Sequence, residues 1–69
     1  MIEVNALGKR CPAPIIDLAK ALKSIALGEQ LRLKSDDPAT WVDLSAWARM
    51  TGNSVEQVEP FVFIVTRKK

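Results

Sequence analysis

The sequence predicts an α+β protein: a two-layer α/β sandwich in which two helices cover one face of a four-stranded mixed sheet, in the order β-α-β-α-β-β. Two observations carry this. The apolar period switches four times between two residues and three-to-four, and Gly, Pro or Asp stands at nearly every switch. The 69-residue length then allows one domain, spanning 1–69, with a single core.

Ile2, Val4 and Ala6 alternate with Glu3 and Asn5, as a half-buried first strand does, and Gly8 permits the turn after it. From Pro12 the period lengthens. Ile15, Leu18, Ala19, Leu22, Ile25 and Ala26 form one stripe, with Asp17, Lys20 and Lys23 between them, and Gly28 is expected to cap this helix. From Glu29 to Ser35, Leu31 and Leu33 then alternate with Gln30, Arg32 and Lys34 in a second strand. Asp36-Asp37-Pro38 reads as a helix start, with Asp37 as N-cap and Pro38 in the first turn.

The second helix is expected to turn Val42, Leu44, Trp47, Ala48 and Met50 inward and to stop at Thr51-Gly52-Asn53. Ser54 to Glu59 is a strand whose alternation slips between Val55 and Val58, as at a bulge. Pro60 marks a turn, and Phe61 to Thr66 completes an antiparallel hairpin. The first β-α-β unit is expected to be a right-handed parallel crossover.

Composition narrows the chemistry. Cys11 is the one cysteine and histidine is absent, so no internal disulfide, no four-ligand zinc site and no cofactor is expected. A lone thiol fits a reducing compartment. The first residues lack a basic stretch leading into a long apolar one, and no run approaches the roughly 20 apolar residues that span a bilayer. A cytoplasmic protein without membrane contact is the expectation. The net charge of +2 depends on Arg67, Lys68 and Lys69; without these three of ten basic residues, seven face eight acidic ones. The basic tail reads as a solvated end, and no aromatic–basic interleaving favours direct nucleic-acid binding.

The candidate site is the segment Gly8-Lys9-Arg10-Cys11-Pro12-Ala13-Pro14. A residue before proline is held in extended conformations, which an N-cap residue also adopts. Cys11 therefore reads as N-cap of the first helix, with Pro12, Ala13 and Pro14 in its first turn. Pro14 lacks an N–H, which leaves that of Ala13 as the expected donor to the sulfur. The helix dipole, Lys9 and Arg10 all favour a thiolate. Two readings of Cys11 stand side by side: a small buried hydrophobe, or a reactive nucleophile at a polar approach. If it reacts, the missing histidine argues against hydrolase or acyl-transfer chemistry, which needs an adjacent base. Pro14 at the fourth position excludes a Cys-x-x-Cys couple. Thiol exchange or sulfur transfer requires neither.

These residues resemble a known family. Gly8-x-x-Cys11-Pro12-x-Pro14 is similar to the Cys-Pro-x-Pro signature of the TusA/SirA-like sulfur carrier proteins. Asp36 to Thr40 resembles their second-helix entry, and Trp47 with Thr51-Gly52 their exit. Asn5 stands where many members carry aspartate, and Asn53 where histidine is common. The resemblance implies the same two-layer fold. It implies that Cys11 accepts sulfane sulfur as a persulfide from a cysteine desulfurase or rhodanese-type donor, then passes it to an acceptor protein. Routes in relatives include transfer-RNA thiolation, molybdenum cofactor assembly and sulfur oxidation. It also suggests a role near the reactive loop for Asp36 or Asp37, beside the plainer one of helix capping. Lys9 and Arg10 are read either as thiolate-stabilising and partner-facing, or as ordinary turn residues. Trp47 fits the core stripe, whereas Trp41 is a candidate docking anchor.

Overall fold

The computed structural model of the protein describes residues 2–10 and 13–69. The element order is β1 Ile2–Asn5, α1 Ala13–Leu22, β2 Gln30–Lys34, α2 Thr40–Thr51, β3 Ser54–Glu59 and β4 Val62–Thr66. The strands form one sheet in the order β1-β2-β4-β3. The β1–β2 pair is parallel, and β2–β4 and β3–β4 are antiparallel, so the mixed sheet and the closing hairpin are as expected. The β3–β4 register shifts between Gln57 and Glu59, which leaves Val58 as the extra residue where alternation slips in the sequence.

Leu18 and Leu22 of α1 and Leu44 of α2 meet Leu31, Leu33, Phe63 and Val65 of the sheet in one core. The registers explain this. Leu31 opposes Val65 and Leu33 opposes Phe63, so their side chains share the helix-covered face. Glu3 pairs across neighbouring strands with Arg32 at 3.7 Å and Lys34 at 3.3 Å, and all three lie outside that core. Ser35 and Thr40 are buried, and their hydroxyls bond each other at 2.7 Å. That bond joins the end of β2 to the first residue of α2.

Three boundaries differ from expectation. The first helix ends at Leu22, not near Ala26, because the Ser24 backbone N–H and hydroxyl both donate to the Ala21 carbonyl. Ile25 still reaches the core, whereas Ala26 is exposed. Gly28, at φ +87°, is consequently not a helix cap; its N–H donates to the Arg67 carbonyl at 2.6 Å. The second helix starts at Thr40 with Ala39 as N-cap, so Asp37 does not cap it. Asp37 instead accepts the Ala39 N–H on its carboxylate at 2.9 Å and the Thr40 N–H on its carbonyl at 3.0 Å, which closes a separate turn around Pro38.

The buried face of α2 is Thr40, Leu44 and Ala48, with Trp47 packed beside the core. Val42 and Met50 are 68% and 87% exposed. Each lies two residues from that stripe, about 200° around the helix, so neither can share it. Gly52 ends α2 as expected, left-handed at φ +78°, with its N–H on the Ala48 carbonyl. Among the described residues no helix is long and apolar enough to cross a membrane.

Candidate functional site

In a parallel pair the two chains leave the sheet at the same end, so the loops after β1 and β2 come together. The first loop is built by short local bonds. The Ala6 N–H donates to the Lys34 carbonyl at 2.8 Å, extending the ladder by one residue. The Asn5 amide oxygen accepts the Leu7 N–H at 3.1 Å, and the Lys9 N–H closes onto the Ala6 carbonyl at 3.1 Å. Gly8 sits at φ +80°, where a side chain would be strained.

One contact ties this loop to the rest of the molecule. The Gly8 N–H donates to the Asp36 carboxylate at 2.9 Å, across 28 residues of sequence. Asp36 thus joins the loop after β2 to the loop after β1. Asp37, the other acidic candidate, serves its own turn.

The charges are arranged differently from expectation. The Lys9 ammonium pairs with the Asp17 carboxylate of α1 at 2.7 Å, an exposed ion pair that pins the loop against the helix. Arg10 is exposed. Its carbonyl accepts the Ala13 N–H at 2.9 Å, so the backbone donor expected for the sulfur is already engaged. Pro14 is buried at the start of α1 and anchors that end of the helix. Cys11 as N-cap and Pro12 in the first turn lie outside the described residues.

The sequence reading did not find the Asn5, Asp17 and Gly8–Asp36 bonds. Asn5 carried a usable signal, since Asn two residues before a turn N–H commonly caps it. A carboxylate at this position would accept the same bond. The eight-residue spacing of Lys9 and Asp17 carries no such signal across a turn and a helix start. Trp41 is 42% exposed, with its ring stacked on Phe63 at a centroid distance of 6.2 Å and 11° between planes. Among the described residues no group of three His, Cys, Asp or Glu could hold a metal ion.

Similarity to known proteins covers the whole of this architecture. The family model described as Sulfurtransferase TusA matches residues 2–68. The chain is 33% identical to the sulfur carrier protein TusA of Allochromatium vinosum over 69 residues, 94% of this chain and 91% of that protein. A protein of Archaeoglobus fulgidus is 31% identical over 71 residues, covering 99% of this chain and 97% of its own. In three dimensions the fold is similar to that of a SirA-like protein from Desulfitobacterium hafniense, with a TM-score of 0.80, full coverage of both chains and 24% identity.

Proposed function

The chain belongs to the TusA sulfurtransferase family, and on that footing we propose that it is a sulfur carrier in which Cys11 holds the sulfur as a persulfide. The observation that supports this most directly is the conjunction of the Cys11-Pro12-Ala13-Pro14 segment with a loop held by Asp36 and Lys9. The rest of the domain tethers that loop on two sides, at Gly8 and at Lys9.

The reaction balances without a proton relay. The Cys11 thiolate attacks the terminal sulfur of a donor persulfide, forming a new S–S bond. The donor's own S–S bond breaks, and its electron pair leaves on the donor thiolate. No net oxidation occurs, and the absence of histidine costs nothing. A second thiolate, on the acceptor, repeats the exchange at Cys11. The partners are accordingly a donor protein of the cysteine desulfurase or rhodanese type and a downstream acceptor, in the reducing cytoplasm. The chain acts as one domain, with Gly8 giving the turn, Asp36 the clamp, and Arg10 an exposed cation for an acidic partner surface.

Intact-mass measurement after incubation with a cysteine desulfurase and cysteine tests the proposal. The expected result is a gain of one sulfur atom that reductant reverses, lost in Cys11→Ala. An equal gain in that variant, or none in the wild type, overturns it.

A further inference from the structure

At the far end of α1 from the Cys11 loop, about 15 Å along a helix of this length, the two helices and the C-terminal segment line an open pocket of about 280 Å³. Leu22 and Trp47 supply an apolar wall, Thr51 and Asn53 polar groups, and Lys23, Arg67 and Lys69 three cations; no acidic side chain lines it. We propose that this is a binding site for a small organic anion: one carboxylate or phosphate on a body of one or two rings.

The cations are placed by main-chain contacts and not by acidic side chains. The Asn53 side-chain oxygen accepts the N–H groups of Lys68 and Lys69 at 2.8 and 3.2 Å, which fixes the segment against the start of β3. The stem of Lys69 lies over Gly52, where a Cβ would stand 2.9 Å from its Cδ and 3.3 Å from its Nζ. Arg67 donates from Nη1 to the Ile25 carbonyl and from Nε to the main-chain oxygen of Lys69. A guanidinium has further N–H groups to offer. Among the described residues none of these three cations is ion-paired with an Asp or Glu side chain.

Serving the helix ends does not exhaust this charge. Both helices present their C-terminal ends here, each equivalent to about −0.5 charge. Two such ends offset roughly one of three cations, so the pocket stays net positive. The Trp47 and Ala48 carbonyls of α2 also have partners, in the Thr51 hydroxyl and the Gly52 N–H. The apolar wall sets the rest of the ligand. A bare inorganic anion would leave the half-buried Trp47 against water, whereas a planar apolar body covers it. The volume falls just below the about 300–1,000 Å³ of pockets for drug-sized ligands, so the body is small.

The test is a ¹⁵N-resolved NMR titration of the intact protein with 1-naphthyl phosphate, beside 1-naphthol, inorganic phosphate and a short oligothymidylate. Saturable shifts at the Trp47 indole, Thr51, Gly52 and Asn53 are expected with 1-naphthyl phosphate, and weaker ones with naphthol or phosphate alone. Losing two charge-assisted contacts in Lys23→Ala/Lys69→Ala should weaken binding about tenfold or more. Lys23→Arg should retain it, and so should Cys11→Ser, which separates this site from sulfur carriage. Wild-type dispersion elsewhere in the double variant's spectrum shows that it folds. Shifts centred outside the pocket, affinity unchanged in the double variant, inorganic phosphate binding as tightly as 1-naphthyl phosphate, or tighter binding of the oligonucleotide would each overturn the proposal.

Discussion

The two ends of the sheet are held by opposite means. At the end that carries Cys11, a carboxylate reaches across to a backbone N–H, Asp36 to Gly8, and a second carboxylate neutralises Lys9. At the other end a neutral amide, Asn53, receives two backbone N–H groups, and Arg67 beside it meets main-chain oxygens of Ile25 and Lys69. One end spends its acidic groups on fixing a loop. The other fixes its backbone with neutral groups and leaves its charge available. Positioning by charge and positioning by neutral hydrogen bonds therefore have different consequences for what each end can bind.

The largest effect expected from breaking this contrast is at Cys11. Cys11→Ser should abolish sulfur loading, read by intact mass, while thermal stability and anion binding at the opposite end stay as in the wild type. Next is Asn53→Ala. It removes the acceptor of the Lys68 and Lys69 N–H groups and the donor to the Thr51 hydroxyl, a 3.0 Å bond. At about 0.5–1.5 kcal/mol per bond, discounted for partial exposure, the loss should be about 2 kcal/mol by urea unfolding. It should also lower anion affinity by releasing Lys69. Asn53→Asp keeps the acceptor, and it should hold the segment while placing a negative charge in the pocket.

How legible these ends are in the sequence follows the same division. Strands and helices were readable because burial repeats with a local period: Leu31 and Leu33, or Leu18 and Leu22, announce their faces within a few residues. The Val58 bulge was visible as a slip in alternation. Local competition was not. Ser24 ends α1 while the apolar stripe runs on through Ile25, and Thr40, a polar residue, holds a core position because Ser35 satisfies its hydroxyl. Val42 and Met50 were misread because apolar character was given more weight than their two-residue offset.

At the candidate site, the Cys-Pro-x-Pro segment is legible as a motif, but the Gly8–Asp36 bond depends on two parallel strands ending together. No spacing between residues 8 and 36 reveals that without the topology. The basic tail failed similarly. Read as a solvated end, its first residue is instead half-buried, paired through its backbone with Gly28 and Glu29.

A smaller effect separates the clamp from simple charge. Asp36→Ala leaves the Gly8 N–H without its acceptor on an exposed loop, so water replaces part of the bond. The expected stability loss is about 1 kcal/mol, with a several-fold slower sulfur transfer from a fixed concentration of loaded donor. Asp36→Asn keeps an acceptor oxygen and should recover most of the rate. If Asn and Ala slow transfer equally, the negative charge of Asp36 matters and the clamp does not. Hydrogen exchange at the Gly8 amide reads the bond itself, and it should accelerate in Ala but little in Asn.

The smallest effect lies in the Lys9–Asp17 pair. Both side chains are partly exposed, and such pairs contribute about 0–1 kcal/mol, screened further by salt. Lys9→Met and Asp17→Asn should each change the unfolding midpoint only slightly, and their double variant should match the sum of the two within about 0.5 kcal/mol. Transfer kinetics are the sharper measurement. If the pair serves to hold the loop against α1, either single variant should slow sulfur transfer modestly, and the reversed pair Lys9→Asp/Asp17→Lys should restore it. If instead the Lys9 charge acts directly on the sulfur or on an acidic partner, the reversed pair will remain slow, because it restores the tether while putting a carboxylate beside the thiolate.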